Sequence, residues 1–65
     1  MTIIEIIARV EEIRGAEGDS ETAHWMEDQL ITDVLRAIGE GAANPAELAR
    51  AALLTTTLDH QRWYA

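Results

Sequence analysis

The chain has 65 residues, no cysteine and 48% hydrophobic content, and its five arginines and twelve acids give a formal charge of −7. This size allows one small domain, and this charge excludes contact with nucleic acid through its phosphates and with anionic membranes, which both need a basic surface. No apolar run approaches the roughly 20 residues of a membrane span, and Met1-Thr2-Ile3-Ile4-Glu5 lacks the basic start of a signal peptide, so a cytoplasmic protein without a disulfide framework is expected.

Thr2-Ile3-Ile4-Glu5 reads as a capping box, in which the Thr2 hydroxyl and the Glu5 carboxylate satisfy each other's free backbone N–H groups. It predicts a helix over 3–14. Ile3, Ile6, Ile7, Val10 and Ile13 recur at helical spacing, Glu5 and Arg9 stand four apart as an ion pair, and Gly15 supplies the stop. Gly15-Ala16-Glu17-Gly18 is a loop. Asp19 or Ser20 then caps a second helix over 20–38, ended by Gly39 and Gly41. Asn44-Pro45-Ala46-Glu47, with Asn44 as cap and Pro45 in the first helical position, starts a third helix over 45–54, with Leu48, Ala49, Ala52 and Leu53 on one face. Thr55-Thr56-Thr57 disfavours its continuation, and Asp59 caps a last turn over 60–64. That tail should dock, because Leu58, Trp63 and Tyr64 are costly to leave in water. No repeat or linker divides the chain. The expectation is an all-α fold: one domain over 1–65, a small three-helix bundle with a short C-terminal helical turn docked on it.

Charge is unevenly spread. Residues 15–28 carry five acids and no base, against three acids and two arginines before them and four acids and three arginines after. One reading is a helix start whose Asp19 and Glu21 complement the helix dipole. The other is an acidic docking face, made of Glu17, Asp19 and Glu21, for a partner with a basic surface.

The second helix carries a sharper anomaly. At about 100° per residue, Ala23, Leu30, Ile31, Val34, Leu35, Ala37 and Ile38 form an apolar arc with Glu27 near its middle, His24 inside it and Asp28 on its edge. A buried carboxylate without a partner is strongly destabilising. Arg62, next to Trp63, is the preferred guanidinium, with His24 held by Asp28 or Glu27. Such a network can simply pin the tail, or it can form a pocket for a small anionic ligand. Metal binding through His24, Glu27, Asp28 and His60 matches no established ligand spacing, and no metal or cofactor is expected. Without a cysteine, a phosphate loop or a nucleophile elbow, the chain reads as a non-enzyme. Trp25 points away from the arc and, with Ile4, offers a second contact surface. A chain this short without staples has a limited core, so a homodimer or higher oligomer is expected.

From Glu21 onward the sequence resembles a group of short proteins encoded by bacteriophages and prophages. The resemblance rests on Ala23-His24-x-x-Glu27-Asp28-x-Leu30, Val34-Leu35-x-x-Ile38, Leu48-Ala49-x-x-Ala52-Leu53 and Arg62-Trp63-x-Ala65. Ile31 stands where that group often has His, and Tyr64 where it often has Cys, so no metal or thiol role is carried over. The resemblance implies a context: an accessory factor in the host cytoplasm that binds and blocks a host component such as a defence effector. A module sequestering a small anionic metabolite or signalling nucleotide through Arg62 and the aromatic tail is the alternative, and a structural or assembly role is a third.

Overall fold

A computed structural model describes residues 1–58 of the chain. In order it forms α1 (Ile3–Gly15), α2 (Ser20–Gly39), α3 (Pro45–Ala52) and a 3-10 helix (Leu53–Thr57), with no strand among the described residues. The fold is all-α, and α3 packs against both α1 and α2. No helix among the described residues is long and apolar enough to cross a membrane.

Local chemistry sets the helix boundaries. The capping box forms at α1, with the Thr2 N–H donating to Glu5 Oε1 at 2.7 Å and the Glu5 N–H to Thr2 Oγ1 at 3.1 Å. This commits the Glu5 carboxylate to the helix start. The expected Glu5–Arg9 pair is therefore replaced by a longer-range one, Arg9 to Asp33. At α2 the cap is Asp19, whose carboxylate accepts from the Thr22 N–H at 3.3 Å and from the Thr22 hydroxyl at 2.9 Å.

The exit from α2 is a Schellman motif. The Gly41 N–H reaches the Ile38 carbonyl at 3.0 Å and the Ala42 N–H the Ala37 carbonyl at 3.1 Å. This geometry puts Gly41 at φ 96°, a conformation that side-chain-bearing residues rarely adopt. The chain then turns into α3. Asn44 makes no side-chain cap there, contrary to expectation; Pro45, with φ already fixed, starts the helix instead.

The α-helical hydrogen bonding of α3 ends at Ala52, two residues before the expected boundary, and continues as the 3-10 helix. The three threonines account for the change. Their hydroxyls donate to carbonyls three residues back, Thr55 to Ala52 at 3.0 Å, Thr56 to Leu53 at 2.7 Å and Thr57 to Leu54 at 2.7 Å, occupying acceptors of the tightened turn.

The core is built from Ile6, Val10 and Ile13 of α1, Ala23, Leu30 and Val34 of α2, Leu48, Ala51 and Ala52 of α3, and Leu58. It is narrower than the sequence pattern implies. Leu35 is 64%, Leu53 58% and Ile7 43% exposed. On α2 the buried stripe runs through Ala23, Glu27, Leu30 and Val34, and Leu35 lies one position beyond it, about 100° around the helix. On α3 the buried residues are Leu48, Ala51 and Ala52, while Ala49 is half-buried and lines a groove against α2. The turn expected over 60–64 lies outside the described residues; Leu58, the last of them, is buried as expected.

Candidate functional site

The buried carboxylate is where the helical pattern puts it. Glu27 is 2% exposed, in the same stripe as Ala23, Leu30 and Val34. His24, one turn earlier, is half-buried, and neither His24 nor Glu27 is a free group. Asp28, expected on the edge of the arc, is exposed. Arg62 and Trp63, the expected partners, lie outside the described residues, as does His60. Among the described residues no group of three or more His, Asp or Glu side chains is placed to hold a metal ion.

The acidic segment lies on the α1–α2 loop and the start of α2. Asp19 and Glu21 are exposed, and Glu17 is half-buried. Asp19 has a structural task as the cap, and the Thr22 hydroxyl and N–H hold its carboxyl below the ordinary carboxylate value. The Thr2 backbone N–H and hydroxyl do the same for Glu5. Among the described residues the ion pairs are Arg9–Asp33 at 2.8 Å, Arg14–Glu11 at 3.4 Å and Arg36–Asp33 at 3.3 Å. None of them engages Glu17, Asp19, Glu21 or Asp28. The described arginines of α1 and α2 are thus committed elsewhere, and these four carboxylates keep their field toward solvent.

Two clefts flank α2. The first, about 210 Å³ and open, lies between α1 and α2 and is lined by Arg9, Glu12, Ile13, Trp25, Met26 and Gln29. Trp25 forms a wall of it while remaining 63% exposed. The second, about 160 Å³, lies between α2 and α3 and is lined by apolar residues alone: Ile31, Val34, Leu35, Ile38, Ala49, Ala52 and Leu53. Neither is lined by His24, Glu27 or Asp28. The sequence pattern placed Trp25 off the core arc but associated it with Ile4. Ile4 is 80% exposed and lines neither cleft. The α1 residues that line the cleft with Trp25, namely Arg9, Glu12 and Ile13, share one face of that helix at i, i+3 and i+4.

No family model matches the chain, and neither a curated protein nor a solved structure matches it.

Proposed function

We propose that this chain is a small accessory protein of bacteriophage type that acts without catalysis in the host cytoplasm, binding and blocking a host component through its acidic face. The observation that carries this reading is the uncompensated charge at the start of α2. Residues 15–28 bring five acids and no base, and only Glu27 among those acids is withdrawn into the core. An exposed single-sign surface steers encounter with a partner of opposite sign. Phage origin, and a defence effector as the class of target, follow from the resemblance of residues 21–65 and from nothing else.

Affinity capture from host lysate, with mass spectrometry of proteins and metabolites, tests the reading. A basic protein whose association weakens as salt rises supports it. Recovery of a small anion in place of a protein favours the second reading, a sequestering module. In that case Arg62→Ala should abolish binding. Self-association belongs to the first reading too, since Leu35 and Leu53 stand exposed on an uncharged groove.

A further inference from the structure

The cleft between α1 and α2 combines features that an acidic surface alone lacks. Its wall is an indole left largely in water, its floor is apolar through Ile13 and Met26, and its far rim carries Glu12. Glu21, four residues before Trp25, and Asp28, three residues after it, are exposed on the flank of Trp25 turned away from Met26 and Gln29, and neither lines the cleft. Arg9 is the one cation among the lining residues. It is paired with Asp33 at 2.8 Å, so the cleft presents a π face and the Glu12 carboxylate to an incoming group.

We propose that this cleft takes a single arginine or lysine side chain from a basic segment of the partner, as the anchor of the docking surface. The proposal rests on the acidic-face reading and deepens it. A long cationic side chain matches each part of the cleft: its methylene stem lies over Ile13 and Met26, and its charged head meets the Trp25 ring and Glu12. The cleft is too small for a helix, which is about 10–12 Å across with its side chains. An apolar knob fits poorly, because it would strip water from Glu12 without replacing the lost hydrogen bonds. An anion fits worse, since it would face Glu12, and Arg9, the one cation in the lining, is already paired with Asp33.

The test is an NMR titration of the full 15N-labelled chain with the capped peptide acetyl-hexaarginine-amide, against a capped Gly-Ser hexapeptide and inorganic phosphate, at low ionic strength. The Trp25 indole N–H resonance is assigned from Trp25→Phe. The proposal expects that resonance to shift saturably with hexaarginine alone. Trp25→Ala and Glu12→Gln should each weaken the peptide by about two- to fivefold, the scale of one exposed cation–π or ionic contact, with Trp25→Phe closer to wild type and all melting temperatures unchanged. If the peptide binds and is salt-sensitive while the Trp25 resonance and the Trp25→Ala affinity stay unmoved, this inference is overturned and the acidic-face reading survives. If phosphate rather than the peptide shifts Trp25, the assignment of a cation is wrong. Absence of any salt-sensitive peptide binding overturns both.

Discussion

Arg9 of α1 and Asp33 of α2, 24 positions apart, meet at 2.8 Å across the helix pair. Arg36 approaches the other carboxylate oxygen at 3.3 Å, so Asp33 serves two guanidinium groups. Both Arg9 and Asp33 are about one-third exposed, which limits the pair to the range of surface ion pairs, about 0.2–1 kcal/mol. Asp33→Asn should therefore cost more stability than Arg36→Gln, because it weakens the link between helices as well as the local contact within α2. Urea unfolding of the two variants, with a double-mutant cycle for Arg9 and Asp33, measures it.

Glu27→Ala should be far more damaging than Glu21→Ala. The first empties a core position and disturbs a buried polar group, a change of roughly 2–5 kcal/mol, comparable with the whole stability of so small a domain. The second alters an exposed side chain, where effects stay within about 0.5 kcal/mol. Thermal melts followed by circular dichroism should show Glu27→Ala unfolded or strongly lowered and Glu21→Ala near wild type. Equal melting temperatures would mean that Glu27 is solvated.

The caps make stability depend on acid. The carboxyls of Glu5 and Asp19 sit below their ordinary values of 4.5 and 3.8 because backbone N–H and threonine hydroxyl groups donate to the ionised forms. A depressed folded-state value means that the caps contribute fully above those ordinary values and lose their contribution as pH falls through the lower folded ones. The melting temperature should hold as pH is lowered toward 5 and fall below about 4. Asp19→Ala should lower it at pH 7 and flatten the acid limb, whereas Asp19→Asn should preserve much of the cap, Asn being an equally good N-cap. Thr2→Ala should cost about 1 kcal/mol at neutral pH.

Most of the fold could be read from local signals. The capping box at Thr2, the glycines after α2 and Pro45 each act within one turn, and the helices they bound are present to within a residue or two. The burial of Glu27 was also legible, because it follows from angular position on a single helix. What escaped depended on more than one helix. Leu35 and Leu53 fall on apolar stripes yet stay exposed, since only the packing of α3 on both neighbours decides which edge of a stripe is covered. Arg9 had a good partner in sequence and a better one across the bundle. The α1–α2 cleft combines two faces that each look ordinary alone.

Self-association should run through the groove between α2 and α3, whose lining carries no charge and so escapes the repulsion that the net charge of −7 imposes elsewhere on the surface. Light scattering at micromolar concentration should give more than 7.2 kDa, and Leu35→Glu with Leu53→Glu should return a monomer without lowering the melting temperature. A monomer in the unmodified chain would remove the oligomer from the account.

The acidic face is the central claim, and the salt dependence of association tests it most directly. The rate at which the captured host protein associates would be measured across a range of ionic strengths, for the unmodified chain and for Glu17→Gln, Asp19→Asn and Glu21→Gln combined. The account predicts slower association and a flatter dependence on salt for the triple variant, with a nearly unchanged melt, because exposed charges act mainly on encounter. The same rate and the same slope in both proteins would contradict it.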